Sequence, residues 1–370
     1  MTRVGWVSAA FLPLMFVLAG TAEVQAASVP SPPALQARSA AILDAADGRL
    51  LWSMNGHLRV PMASTTKMMT ALVALQLLKD RGDVMMTVPP QVSEAYGEML
   101  NLRPGDRYTF LQMLEGMLLP SANDAAITVA VDAAGSLTRF VALMNAQAQA
   151  LGLDDTHFAN PDGLEDPDHY SSADDLARLG WVVMQDPLFR RIVAMPSAVI
   201  PSPDQPGSTV VIGNINALLD TFPGATGVKT GYTSQAMNVV VGSATRGGAS
   251  VVAVVTGESE WTTWSDEQAL LRFGLALAAE PDPPTLPAAA PPVVARLVPA
   301  EAAARPVRTL APRTAPAVPV AAGLGLAGGL AALLALWRVA VRRRTGWRVV
   351  RPTRGGFAES GSDWADYLEK

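Results

Sequence analysis

Residues 63–71 of this chain read ASTTKMMTA and contain the most informative pattern in the sequence. Ser64 and Lys67 lie three residues apart, so their side chains project from one face of a helix and can meet. Apolar residues then recur at helical spacing, which predicts a helix from Ser64 to about Lys79 that ends at Gly82. A lysine activates a neighbouring serine as a nucleophile when burial or a nearby cation keeps the lysine neutral. Taken alone, the pattern is more typical of a serine helix cap followed by a solvated lysine.

A second candidate motif reads Ser121-Ala122-Asn123 and lies on a loop between two predicted helices. The helix that follows it is predicted to begin at Ala125. At this place Ser121 can relay a proton and Asn123 can hold a substrate amide. Ser-x-Asn is also common at helix caps, so this motif is weak evidence by itself.

A third motif, Lys229-Thr230-Gly231, comes just before a strand that is predicted to start near Met237. Gly231 lets a substrate backbone approach a strand edge, while Lys229 and Thr230 can bind a carboxylate. The alternative is a surface lysine beside a turn. That alternative is weaker because the chain has four lysines in all, and two of them fall within these motifs.

The three motifs together are far more informative than any one of them. From residue frequencies, their chance occurrence in this order is on the order of a few in ten thousand. With these motifs the chain resembles the penicillin-binding serine DD-peptidases, and most closely the low-molecular-mass D-alanyl-D-alanine carboxypeptidases. The resemblance covers about residues 38–275, and its most similar segments are 63–71, 118–126, 160–164 with 169–172, and 227–233.

The resemblance implies catalytic roles for the first two motifs. Ser64 would be the acylated nucleophile and Lys67 its base. Ser121 and Asn123 would complete the catalytic group as the second motif. This motif is often Ser-Gly-Asn in the family and here contains alanine, which is a small change.

The resemblance also implies how the substrate binds. Lys229, Thr230 and Gly231 would form the strand that binds the substrate carboxylate, and the backbone N–H groups of Ser64 and Tyr232 would form the oxyanion hole. The substrate would be the stem peptide of peptidoglycan, β-lactams would be covalent inhibitors, and neither a cofactor nor a metal would be needed. Many relatives carry a C-terminal β domain that is not recognisable here, so no role of that domain transfers to this chain.

Patterns in the rest of this region predict the fold class. Residues 40–52 read as a hairpin closed by an Asp47-Gly48 turn, and residues 237–256 read as a second strand pair. Helical patterns lie between them, including one with Ser172 as its N-cap. Strands at both ends with helices between them predict an α+β fold whose terminal segments share one sheet. The resemblance implies a β-lactamase/transpeptidase-like form of this fold, an antiparallel sheet flanked by helices with a helical subdomain.

Composition excludes several classes of function. The chain has 370 residues, of which 49% are hydrophobic and 16% charged, so it can bury a core. Residues 27–280 contain 15 basic and 26 acidic residues, a net charge of −11, which argues against nucleic-acid binding. The absence of cysteine excludes disulfides and thiol catalysis. Three histidines without a metal-binding spacing make a histidine-based metal site a weak hypothesis.

Both ends of the chain predict contact with a membrane. Residues 1–26 combine a basic start, an apolar run and a small-residue cleavage site, which is typical of a secretory signal peptide. The alternative is a retained N-terminal anchor. Residues 320–341 are rich in alanine, glycine, leucine and valine and predict a transmembrane helix, although a buried helix has a similar composition. The basic tail at 342–370 is then expected to lie in the cytoplasm.

A proline-rich segment separates these regions. Residues 281–319 contain 11 prolines among 39 residues and predict an extended linker. The expected organisation is therefore a signal peptide, a catalytic domain at 27–280, this linker, one transmembrane helix and the basic tail. Such a protein would be a single-pass protein of the cell membrane with its catalytic domain outside the cytoplasm.

Four alternative functions remain open on the residues alone. A β-lactamase of the same superfamily is disfavoured because the second motif lacks the Ser-Asp-Asn of class A enzymes. A DD-transpeptidase or endopeptidase is harder to exclude from local motifs. An inactive wall-binding module is disfavoured by the presence of all three motifs. A Ser-His-Asp hydrolase is disfavoured because no G-x-S-x-G occurs.

Overall fold

The computed structural model describes residues 30–78 and 83–280. The predicted signal peptide, the proline-rich linker, the transmembrane helix at 320–341 and the basic tail lie outside the described residues. Within the described part the chain forms nine strands, which are β1 (Ser39–Asp44), β2 (Leu50–Met54), β3 (Met85–Thr87), β4 (Arg107–Thr109), β5 (Ser197–Pro201), β6 (Thr209–Gly213), β7 (Ala225–Thr233), β8 (Met237–Arg246) and β9 (Ala249–Glu258).

The same part of the chain contains eight α-helices. They are α1 (Lys67–Leu77), α2 (Phe110–Leu118), α3 (Asn123–Ala134), α4 (Leu137–Ala150), α5 (Ala173–Val183), α6 (Pro187–Val193), α7 (Leu218–Thr221) and α8 (Thr263–Ala278). Short 3-10 turns precede α1 at Ala63–Thr66 and follow β3 at Pro90–Glu94. The predicted cap of α5 is confirmed, because the Ser172 side chain accepts a hydrogen bond from the backbone N–H of Asp175.

A five-stranded antiparallel sheet in the order β2-β1-β9-β8-β7 forms the centre of the fold. Strands β8 and β9 are apolar along most of their length because both faces of the sheet are covered. Alternate residues of β1 show this: Ala41 and Leu43 face the core shared with α1 and α5, while Ala40 and Ile42 face the core shared with α8. This two-sided burial holds the edge strand β7 in a fixed position.

The structure confirms the predicted α+β class. Strand β1 near the start of the domain pairs with β9 near its end, from Ser39 opposite Thr256 to Asp44 opposite Val251. The two predicted hairpins are present as β1–β2 and β8–β9. Mixed helices and an antiparallel sheet are thus the observed architecture.

Several details differ from the sequence-based expectation. Helix α3 begins at Asn123 rather than at Ala125, so Asn123 lies in the helix and not on the loop before it. Ser64 lies in the 3-10 turn, and the α-helix begins at Lys67 and ends at Leu77. The Lys229 motif lies inside β7, as the family resemblance implied, whereas the residue pattern alone placed it before a strand; pairing with β8 overrides the weak strand propensity of Gly231. The β5–β6 hairpin was not predicted.

Among the described helices, none alone is long and apolar enough to span a membrane. The pair α3 and α4, which is bent by 88°, meets the length and composition criteria when taken together.

Candidate active site

The predicted serine–lysine pair meets at the start of α1. Lys67 Nζ lies 2.8 Å from Ser64 Oγ, and both side chains are buried. The turn that carries Ser64 begins with Ala63, whose φ of 48° falls in the left-handed region that is unusual for a residue other than glycine. The contact is therefore made across the 3-10 turn, in which side chains three residues apart lie directly above one another.

Two carbonyl oxygens complete the surroundings of the Lys67 amine. Nζ donates to Asn123 Oδ1 at 2.7 Å and to the backbone oxygen of Asp162 at 2.6 Å. Burial lowers the pKa of Lys67 to about 8, against the opposing effect of nearby carboxylates. A neutral amine has two hydrogens, and these two carbonyls can take both, so its lone pair is left for the Ser64 hydroxyl. The geometry suits a general base.

Asn123 begins α3 and uses both ends of its carboxamide within the protein. Its Oδ1 accepts from Lys67, and its Nδ2 donates to the backbone oxygen of Tyr96 at 2.6 Å. Its backbone N–H also donates to the Glu98 carbonyl at 2.8 Å. Asn123 therefore positions Lys67, and the expected contact with a substrate amide stays a prediction that uses the second hydrogen of Nδ2.

The second and third motifs also meet. Lys229 is almost fully buried in β7, and its Nζ donates to Ser121 Oγ at 3.0 Å and to the Thr230 carbonyl at 2.7 Å. Burial lowers the pKa of Lys229 well below its usual range, and the charge of Lys67 lowers it further. Ser121 itself has a φ of 68°, in the left-handed region that is unusual for a residue other than glycine. The structure thus contains two buried serine–lysine pairs.

Gly231 explains how β7 approaches the nucleophile. A Cβ at this position would lie 2.7 Å from the Ser64 backbone nitrogen, so any side chain would push the strand away. The neighbouring Tyr232 side chain is 59% exposed at the rim. The two backbones therefore lie close enough to aim N–H groups of both segments at one atom.

A cleft lies over this group of residues. Ser64, Ser121, Thr230, Gly231 and Tyr232 line it, together with Glu98, Ile215, Asn238 and Trp264. Of the eight predicted site residues, five face the cleft, and the other three are the two buried lysines and Asn123 behind them. The structure brings all eight into one site.

One segment that packs under the nucleophile carries contacts that sequence reasoning missed. Thr70 Oγ1 donates to the Pro161 carbonyl at 2.6 Å, next to the Asp162 carbonyl that binds Lys67. A Cβ on Gly163 would lie 2.1 Å from the Ala63 oxygen. The family resemblance included residues 160–164, so the segment was recognised from the sequence, but its contacts with Lys67, Thr70 and Ala63 were not predicted.

The histidines do not form a Ser-His-Asp arrangement. All three lie within the described residues: His57 bonds to Asp155, His157 to the Asp168 carbonyl and His169 to Thr66. No group of three or more histidine or acidic side chains in the described ranges could hold a metal ion. Lysine is therefore the base that the geometry offers to Ser64.

Comparison with known proteins identifies the family of the chain. Residues 25–260 match the family of D-alanyl-D-alanine carboxypeptidases known as peptidase S11, and the chain belongs to this family. It is 39% identical over 265 residues to the D-alanyl-D-alanine carboxypeptidase DacB2 of Mycobacterium tuberculosis. The aligned region covers 69% of this chain and 88% of that protein.

Solved structures show the same similarity. The crystal structure of a D-alanyl-D-alanine carboxypeptidase from Mycobacterium tuberculosis H37Rv has a TM-score of 0.65 and 34% identity, over 71% of this chain and all of that one. The Streptomyces K15 DD-transpeptidase has a TM-score of 0.63 and 30% identity, over 67% of this chain and all of that one.

Proposed function

We propose that the chain is a serine-type D-alanyl-D-alanine carboxypeptidase that removes the terminal D-alanine from peptidoglycan stem peptides through an acyl-enzyme. Membership of the peptidase S11 family supports this activity. The observation that carries it is the 2.8 Å contact between Lys67 Nζ and Ser64 Oγ, with two carbonyls placed to take both hydrogens of the neutral amine. The site provides a serine nucleophile with an adjacent base.

Acylation begins with the Ser64 hydroxyl. Its oxygen attacks the carbonyl carbon of the penultimate residue while its proton moves to neutral Lys67. Lys67 then gives this proton to the nitrogen of the leaving D-alanine as the C–N bond breaks. Water attacks the resulting ester with Lys67 again accepting a proton, and the Ser64 hydroxyl is restored when the ester C–O bond breaks.

The backbone N–H groups of Ser64 and Tyr232 stabilise the negative charge that develops on the substrate oxygen. Donors held in place before the reaction stabilise such an oxyanion without reorganisation. The close approach of Gly231 to the Ser64 nitrogen supports this assignment, because it brings the two segments together.

Lys229 and Thr230 bind the C-terminal carboxylate of the substrate. A carboxylate here favours the charged form of Lys229. The two amines repel each other when charged, as the lowering of the pKa of Lys229 by Lys67 shows, so a charged Lys229 would in turn lower the pKa of Lys67. Substrate binding thereby moves the single proton of the lysine pair to Lys229 and leaves Lys67 neutral. A free carboxylate would thus promote the chemical step as well as binding.

The decisive experiment uses muropeptides that end in D-alanyl-D-alanine. Mass spectrometry should show the purified enzyme removing one alanine and nothing else. Products cleaved elsewhere in the stem, or no product from a correctly folded enzyme, would overturn the proposal.

A second candidate is transpeptidation, which the similarity to the Streptomyces K15 DD-transpeptidase favours. The same acyl-enzyme would then pass its peptide to an amine instead of water. Adding an acceptor amine to the muropeptide assay separates the two, because a transpeptidase forms a cross-linked product at the expense of the hydrolysed one.

We also propose that β-lactams acylate Ser64.

We further propose that the catalytic domain lies outside the cytoplasm and is anchored to the cell membrane by a transmembrane helix at 320–341. The composition of residues 1–26 and of the basic tail supports this topology. Protease added to intact cells should cut within 281–319 and release a soluble active fragment. Activity that stays on the membrane after this cut would contradict the single C-terminal anchor.

A further inference from the structure

The peptide unit between Ala63 and Ser64 carries one of the two N–H groups that we assign to the oxyanion hole. Ala63 adopts a left-handed conformation with a φ of 48°. This conformation is unfavourable for alanine, so neighbouring groups must hold the peptide plane in its orientation. The contacts of the Ala63 carbonyl show which groups these are.

Two contacts hold the Ala63 carbonyl. The Thr66 hydroxyl donates to it at 2.8 Å. Gly163 packs against the same oxygen so closely that a Cβ would come within 2.1 Å of it. The carbonyl is therefore fixed, and the Ser64 N–H on the other side of the same planar unit is fixed with it.

His169 extends this arrangement by one hydrogen bond. The Ala159 backbone N–H donates to Nδ1 at 3.0 Å, so the ring hydrogen lies on Nε2. Nε2 is 2.7 Å from the Thr66 oxygen, whose own hydrogen is directed to Ala63. Burial lowers the pKa of His169 to about 4, so the neutral ring is the form at neutral pH. Each donor and acceptor thus has one defined role.

We propose that His169 and Thr66 are positioning residues that orient and polarise the Ser64 N–H of the oxyanion hole. Hydrogen bonds in series polarise one another, so donation from Nε2 strengthens the Thr66 donor, which draws charge onto the Ala63 oxygen. The amide of that peptide unit then becomes a stronger donor to the substrate. This inference rests on the proposed function, because it assumes that Ser64 is acylated and that its N–H faces the oxyanion.

The chain of hydrogen bonds touches neither the reacting atoms nor Lys229. Its loss is therefore expected to lower kcat and the rate of acylation by penicillin by about tenfold, less than the loss of a whole oxyanion donor. KM should change little. The preference for a free C-terminal carboxylate should also persist.

Infrared spectroscopy of the penicilloyl-enzyme tests the proposal directly. The stretch of the ester carbonyl, identified with a ¹³C-labelled penicillin, reports the strength of hydrogen bonds from the oxyanion hole. Thr66→Val keeps the side-chain shape but removes the hydroxyl, and it should shift this stretch to higher frequency. Thr65→Val is the matched control, because the buried Thr65 hydroxyl donates to the Met62 carbonyl at 2.6 Å and takes no part in the hydrogen bonds that link His169, Thr66 and Ala63. The control should leave the frequency unchanged.

Two substitutions of His169 give an independent test if Thr66→Val does not fold. Asparagine can still accept from Ala159 but does not reach Thr66, so His169→Asn should raise the frequency. Glutamine can reach Thr66, so His169→Gln should give a smaller shift. If the ester carbonyl frequency is unchanged in Thr66→Val, or in His169→Asn, this inference is wrong while the proposed function still stands. Failure of the unmodified enzyme to form an acyl-enzyme at Ser64 overturns the proposed function and this inference with it.

Discussion

The two buried lysines of the cleft have similar partners but different surroundings. Lys67 contacts Ser64 and two carbonyl oxygens from distant segments. Lys229 contacts Ser121 and the carbonyl of the next residue in its own strand. Burial lowers the pKa of both, so burial by itself does not distinguish a base from a binding cation.

Their neighbours make the difference. The amine hydrogens of Lys67 have fixed acceptors within the protein, so it can act as a neutral base. Lys229 lies behind the cleft-lining Ser121 and Thr230, where a substrate carboxylate can compensate its charge. Two lysines with the same burial are therefore suited to different chemistry because of what each one faces.

Replacing the serine partner of each lysine should have the largest effect. Ser64→Ala should abolish both peptide hydrolysis and covalent labelling by fluorescent penicillin, because no acyl-enzyme can form. Ser121→Ala should still be labelled, at a reduced rate, because it removes a partner of Lys229 and leaves the nucleophile. Labelling of folded Ser64→Ala would show that another residue is the nucleophile.

Removing the cation of the second pair should change substrate preference. Amidating the substrate C-terminus should cost the unmodified enzyme about 2–3 kcal/mol in kcat/KM, since it removes a charge-assisted contact in a partly desolvated cleft. That cost corresponds to about 30- to 150-fold. Lys229→Ala should lose most of this preference. Equal turnover of free-acid and amide peptides by the unmodified enzyme would argue against carboxypeptidase activity.

The pH dependence of kcat/KM tests whether the two lysines share one proton. The free enzyme needs one proton on the pair, which moves to Lys229 when the carboxylate binds. Because the pKa of Lys67 is about 8, activity should fall as the pH rises above this value and the last proton leaves. The value of kcat/KM should also fall at strongly acidic pH, where both lysines are charged. A kcat/KM that keeps rising above pH 9 would mean that Lys67 must lose its proton before substrate binds.

A buried carboxyl group outside the cleft tests how burial shifts a pKa, with the smallest expected change. Burial raises the pKa of Glu267 well above its usual range, and the nearby Glu258 adds to the shift. The folded state keeps this proton while the unfolded state loses it above about pH 4.5, so stability falls as the pH rises beyond that value. Glu267→Gln cannot ionise and should raise Tm more at pH 8 than at pH 5.

The exposed Glu94 provides the control for this experiment. Glu94→Gln should leave Tm almost unchanged at both pH values. An equal change in Tm for Glu267→Gln at pH 5 and pH 8 would contradict the assigned shift.

Much of the fold followed from local patterns. The two hairpins and the cap of α5 were predicted because turn residues, strand alternation and capping depend on neighbours in sequence. The residue pattern alone did not place the Lys229 motif within a strand, although the family resemblance implied one, because Gly231 disfavours a strand and pairing with β8 imposes it.

The pairing of Ser64 with Lys67 could be predicted from their spacing, since helical geometry brings residues three apart into contact. The groups that surround this pair come from tertiary packing. The Asn123 and Asp162 oxygens that face Lys67 are 56 and 95 residues away, and Ser121 lies 108 residues from Lys229. Contacts over such separations depend on how helices and strands pack, which no local periodicity encodes. His169 reaches Thr66 across 103 residues for the same reason.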